Sequence, residues 1–147
     1  MKKPILFAAL GICVLLFSCR VVLVPEYSAE LENQIVQGAK LNDRLYINML
    51  DANPDKRSFQ LYADKYAEIE SEIHSILLKN ETRKKNNDML VIIRNLDSVF
   101  VKYKNHHKSK NTLSDGEIKL NQVYIKDLWK PLLIAESGLK KAKTVTR

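Results

Sequence analysis

Apolar residues return every three or four positions along most of this chain, the spacing that lines one face of an α-helix. Four such stripes are visible. The first joins Leu31, Ile35, Gly38, Leu41 or Asn42, Leu45 and Met49. The second is the most regular: Phe59, Tyr62, Tyr66, Ile69, Ile73 and Ile76 keep a 3-4-3-4-3 rhythm, like a coiled-coil seam. Met89, Ile92, Leu96, Val99 and Tyr103 form the third, widened by Ile93 and Phe100. The fourth holds Ile118, Ile125, Leu128, Leu132, Ala135 and Leu139, with Val123, Tyr124 and Trp129 beside them. The pattern predicts helices over about 28–51, 55–79, 87–105 and 115–142. Neither strand alternation nor an internal repeat is present.

Local chemistry marks where the helices begin. Asn53-Pro54 pairs an N-cap residue with proline at the first helical position, where its missing N–H does no harm. Such a tight connection makes the first two helices antiparallel neighbours. In Leu113-Ser114-Asp115-Gly116-Glu117-Ile118, Ser114 and Glu117 have capping-box spacing, and Leu113 and Ile118 are placed as a hydrophobic staple. Polar connections are expected at NETRKKNN from Asn80 and at NHHKSKNT from Asn105. Pro131, inside the fourth stripe, is expected to bend that helix near Asp127, whose carbonyl loses its partner. Helices of about 20 residues, each roughly 30 Å long, predict an all-α fold over 27–147: an up-down-up-down four-helix bundle. A three-helix core with a loosely attached first helix is the competing arrangement. Asn42 and Asn121 lie on or beside the stripes and are expected at interfaces that reach water.

The amino terminus has a different pattern. Met1-Lys2-Lys3 is cationic, and Pro4 to Phe17 is an apolar run of 14 residues, the form of a secretory signal. A membrane span needs roughly 20 apolar residues. An uncleaved span reading on through Arg20 to Val24 would carry a charge near one end. The run ends in Leu16-Phe17-Ser18-Cys19: aliphatic, variable, small, cysteine. This tetrapeptide resembles the lipobox of bacterial lipoproteins, with Phe17 bulkier than the usual occupant of its position.

The resemblance covers residues 1–19. It implies that 1–18 are removed as a signal peptide, that the Cys19 thiol is diacylated, and that the new amino group receives a third acyl chain. Residues 19–26 would then be a lipidated tether into the bilayer. Two or more chains anchor stably where one does not, each buried CH₂ contributing roughly 0.8 kcal/mol. No acidic residue follows the cysteine in Arg20-Val21-Val22-Leu23-Val24-Pro25. The Asp that resembles an inner-membrane retention signal is missing too, so the periplasmic face of the outer membrane is the expected location. Cys13 is filler in the apolar run. With it cut away, Cys19 is the one cysteine left, which excludes an intrachain disulfide, a zinc knuckle or a catalytic thiol.

Charge sharpens the picture. The net charge is +7, but Glu26 to Leu78 holds 5 basic and 10 acidic residues, and Lys79 to Arg147 holds 16 basic and 7 acidic. In an up-down-up-down bundle the tether, the second connection and the carboxyl terminus share one end. Lys79, Arg83, Lys84, Lys85, Lys140, Lys141, Lys143 and Arg147 gather there. Arg83, Lys84, Lys85, Lys140 and Lys141 are therefore the expected membrane-facing basic patch, each worth roughly 1 kcal/mol toward an anionic surface. Asp51, Asp55 and the basic 105–111 segment would point away from the bilayer. A solvated charged rim is the plainer reading. Nucleic acid, the usual partner of a basic chain, is disfavoured by the export signal.

Catalytic constellations are missing from the sequence. His74 has Glu70 at helical spacing, but the paired Glu-x-x-His motifs of a di-metal bundle do not occur. His106 and His107 sit among lysines and are expected in a solvated loop. There is no haem attachment motif, phosphate-binding glycine loop or serine nucleophile elbow. Tyr62 and Tyr66 fall at core spacing rather than on a sugar-stacking platform. No cofactor, metal or enzyme activity is expected. The sequence favours a non-enzymatic interaction or structural module of the cell envelope with a protein partner. The alternative is a ligand-binding or inhibitory lipoprotein engaging a glycan, a peptide or an envelope enzyme.

Overall fold

The structure, a computed structural model, describes residues 24–145, with side chains to 142. Cys19, the signal segment 1–18 and most of the tether lie outside the described residues, as does Arg147. Four helices follow: α1 (Ala29–Asp51), α2 (Phe59–Glu81), α3 (Asn87–Lys110) and α4 (Asp115–Val145). Each packs on its neighbours in chain order, and α4 closes onto α1. Cross-helix contacts fix the antiparallel register: Asp43 with Gln122, Gln34 with Ser75, Glu70 with Lys104, and His106 with Glu117. The fold is the up-down-up-down four-helix bundle.

The core follows the stripes closely. Tyr62, Tyr66, Ile69, Ile73 and Ile76 of α2 are all buried, with Phe59 packed against them. On α3 the weight shifts: Met89, Ile93, Leu96 and Phe100 are buried, while Ile92, Val99 and Tyr103 are only partly covered. Leu31, Ile35, Leu45, Tyr46 and Met49 place α1 fully in the core, which removes the three-helix alternative. Trp129 fills the α1–α4 interface at Gly38, where an added Cβ would lie 2.5 Å from its ring. Among the described residues, all the buried apolar side chains fall between Leu31 and Leu132, so the bundle carries its own core.

Two boundaries differ by four residues or more from the sequence expectation. Asn53-Pro54 starts only a 3-10 turn, Pro54–Lys56, and α2 begins four residues after the predicted 55 because Arg57 turns inward. Arg57 is 4% exposed and donates to the carbonyls of Leu50 and Ala52 and to Asp115. Next, α3 continues five residues past Asn105 to Lys110, so most of the predicted polar loop is helix. Asn111 ends it in the left-handed region (φ 58°), its N–H bonded to the His107 carbonyl at 2.7 Å. Its side chain also accepts from the Phe59 N–H, capping α2 from across the bundle. Helix α4 is continuous through Pro131; both Pro131 and Asp127 are exposed, so the freed carbonyl can meet water.

At the start of α4 the capping box forms as predicted. The Ser114 N–H donates to Glu117 at 2.9 Å, and the Glu117 N–H donates back to the Ser114 hydroxyl at 3.4 Å. Leu113 and Ile118 are both buried beside it. Asn42 and Asn121 do not reach water. They are 1% and 4% exposed, and Asn42 Oδ1 and Asn121 Nδ2 have no hydrogen-bond partner.

Candidate functional site

Each end of the bundle is closed by a buried polar residue that continues an apolar stripe. At the end where the amino-terminal segment enters, that residue is Glu136. It is 0% exposed and follows Leu132 by one helical turn. Its carboxylate accepts from the Ser28 N–H at 2.7 Å and from the Arg83 guanidinium at 2.7 Å. Arg83 also donates to the Asn80 side chain and to the Glu26 carbonyl. Asn86 donates to both the carbonyl and side-chain oxygens of the buried Asn80. This network pins the segment that leads into α1 onto the α2–α3 connection.

The opposite end closes on His107, which is 0% exposed rather than solvated. The Arg57 carbonyl can only accept, so His107 Nε2 carries the proton and donates to it at 2.9 Å. Nδ1 then accepts from the Tyr66 hydroxyl at 3.1 Å. Phe59 and Tyr66 meet the imidazole edge-on, with Tyr62 tilted nearby. Burial pushes the His107 pKa down, partly offset by the Arg57 carbonyl, so the ring is neutral. Burial raises the Tyr66 pKa in turn. Both groups are spent on structure. His106, one residue away, is half exposed and pairs with Glu117. Glu117 is held well below the usual carboxylate range, first by Lys110 and then by the Ser114 backbone N–H.

The predicted basic patch is only partly assembled. Arg83 is turned inward onto Glu136, so it is a structural cation rather than a membrane-facing one. Lys79 pairs with Glu30, and Lys140 lies over the Tyr27 ring at 5.6 Å. Lys84, Lys85 and Lys141 are exposed. The larger charge asymmetry runs sideways. By sequence α1 and α2 carry 9 acidic and 4 basic residues, and α3 and α4 carry 6 acidic and 11 basic. The uneven charge along the chain thus becomes a lateral polarity, acidic on one helix pair and basic on the other.

The second unforeseen feature is the outward face of α4. Leu120, Val123, Tyr124 and Ile134 are 56–71% exposed. Val123 and Tyr124 were expected beside the core stripe; helical geometry turns them outward instead. Tyr124 meets Tyr103 of α3 edge-on at 6.4 Å. Lys119, Lys126 and Lys130 accompany them, all exposed. By contrast, α3 exposes Arg94, Asn95, Ser98, Lys102 and Asn105, with Val91 the one large exposed apolar residue on it.

Glu136, His107 and Asn80 went unrecognised in the sequence, yet a signal was there. Each extends a stripe by one regular step: Leu132 to Glu136, Phe100 and Tyr103 to His107, Ile76 to Asn80. Among the described residues, no group of three His, Cys, Asp or Glu side chains is placed to hold a metal. A shallow open depression between α1 and α2, lined by Leu41, Arg44, Asn48, Lys65 and Glu68, has no converging set of reactive groups. No described helix is long and apolar enough to cross a membrane. Comparison with family models, curated proteins and solved structures returned no match.

Proposed function

We propose that this chain is a lipid-anchored lipoprotein of the bacterial envelope, held through acylated Cys19 and acting as a non-enzymatic interaction module. The outer membrane, on its periplasmic face, is the location its tether sequence fits best. One observation carries the reading: a lipobox-like Leu16-Phe17-Ser18-Cys19 stands seven residues before a bundle that grips Glu26 and Ser28 at its own end. A short tether into a rigid domain suits display at a surface. The interior ionisable groups support the non-enzymatic part. Glu136, Arg83, Arg57 and His107 are each engaged by partners that hold the fold. Metabolic labelling with a tagged fatty acid tests the anchor. Label is expected on the wild-type chain and absent from Cys19→Ser; an unlabelled wild-type chain, or equal labelling of both, overturns the reading.

A further inference from the structure

We infer that the outward face of α4 is a binding surface for an anionic lipid bilayer, so that the anchored bundle lies along the membrane. The inference rests on the anchored reading and says how the domain sits once tethered. Three observations carry it.

The first is the composition of that face. Leu120, Val123 and Ile134 stand outward with Lys119, Lys126 and Lys130 along one flank, and the exposed Asp127 among them is neutralised by Lys130. An apolar ridge flanked by lysines fits the boundary between headgroups and acyl chains, where the ridge is buried and the ammonium groups reach phosphates. Tyr124 and Tyr103 sit at its edge, and tyrosine suits headgroup depth because its ring is apolar and its hydroxyl polar. Lys130 is paired with Asp127, but Lys119 and Lys126 have no carboxylate within salt-bridge distance among the described residues.

The second is the lateral charge. The pair containing α4 has 11 basic against 6 acidic residues, and the opposite pair is acidic. A molecule polarised across its long axis turns its basic side toward an anionic plane. End-on attachment loses two of its cations, because Arg83 and Lys79 are already engaged with Glu136 and Glu30.

The third is reach. Seven residues from Cys19 to Glu26 extend at most about 25 Å, more than the 10–12 Å diameter of one helix. The acyl chains can therefore enter the bilayer beside a bundle resting on its flank.

The test uses the unlipidated domain from Val24 onward, which contains the whole described core. It is co-sedimented with phosphatidylglycerol-rich vesicles and with pure phosphatidylcholine vesicles. Binding is expected to the anionic vesicles and not to the neutral ones. Replacing Lys119, Lys126 and Lys130 together by Gln is expected to weaken it roughly a hundredfold, about fivefold per charge. Leu120→Ser with Ile134→Ser is expected to weaken it by at least about tenfold. Lys84→Gln with Lys85→Gln is expected to change it less than twofold. Unaltered circular dichroism melting shows that each variant keeps its fold. The proposal is overturned by absent binding, by equal binding to neutral vesicles, or by α4 variants that bind as wild type. It is also overturned if light scattering shows a dimer that the α4 variants dissociate, since a second copy would then cover the face. Fatty-acid labelling at Cys19 is read separately: a labelled chain whose domain ignores vesicles keeps its anchor and loses only this surface.

Discussion

The two ends of the bundle finish their apolar stripes with different groups, a carboxylate at one and an imidazole at the other. At both, an apolar stripe finishes on a buried polar side chain that ties down a neighbouring connection. The end where the segment before α1 enters uses a charged pair, Glu136 with Arg83, and draws in the backbone of Ser28 and Glu26. The far end closes on a neutral histidine, His107, held between the Tyr66 hydroxyl and the carbonyl of Arg57, whose own buried guanidinium pairs with the exposed Asp115. A buried ion pair has demanding geometry and is costly to break on one side. A neutral imidazole among aromatic rings is cheaper to bury but responds to acid.

Breaking the charged clasp should have the largest effect. Arg83→Met leaves Glu136 buried without its cation and is expected to cost about 3–5 kcal/mol, read as a lowered midpoint in urea denaturation. A loss under about 1 kcal/mol would mean that the pair behaves like an exposed one and that the end is wet. At the far end, His107→Ala removes a ring packed by Phe59, Tyr62 and Tyr66 and is expected to cost about 2–4 kcal/mol. Between the ends, Gly38→Ala drives a methyl into Trp129. Overpacking of about 1–3 kcal/mol exceeds the gain in helix propensity of about 1 kcal/mol, so a net loss is expected in thermal unfolding. A stabilised Gly38→Ala variant would show that Trp129 can swing clear.

The ends should also differ in their response to pH. The His107 pKa is lowered in the folded state, so below the unfolded value of about 6.5 the unfolded chain binds the extra proton. Stability therefore falls as pH drops through that value. His107→Phe keeps the aromatic packing and is expected to flatten this part of the profile; an unchanged slope would assign it elsewhere. Asp115 and Glu117 have lowered pKa values, because of Arg57 and Lys110 respectively. Their contribution is present above the ordinary carboxylate value of about 4 and is lost as pH falls through the lowered folded values. Ser114→Ala, which removes one arm of the capping box, is expected to have the smallest effect, about 1 kcal/mol.

The helices were legible in the sequence because their apolar residues keep helical spacing, as Tyr62 through Ile76 show without a gap. The capping box and staple at Ser114 were legible for a related reason: every partner lies within five residues. What stayed hidden depends on distant partners. Nothing near Arg83 in sequence shows that Glu136 waits for it 53 residues later, so Arg83 resembles any other member of a basic run. His107 is surrounded by polar neighbours, and only its step from Phe100 and Tyr103 marks the inward face. The outer face of α4 was obscured differently. That helix is apolar on two sides, and a periodicity that locates one stripe merges the second into it. The lateral charge likewise needed the order of packing: a split along the chain becomes a split across the bundle only once α1 and α2 share a side.

The central claim is that this bundle is a displayed domain on a lipid anchor. Intact mass spectrometry of the chain extracted from its own envelope tests it most directly. The account predicts a chain that begins at Cys19 and carries the added mass of a diacylglyceryl group and an amide-linked acyl chain. A chain that still begins at Met1, or a Cys19 bearing no lipid, would contradict it.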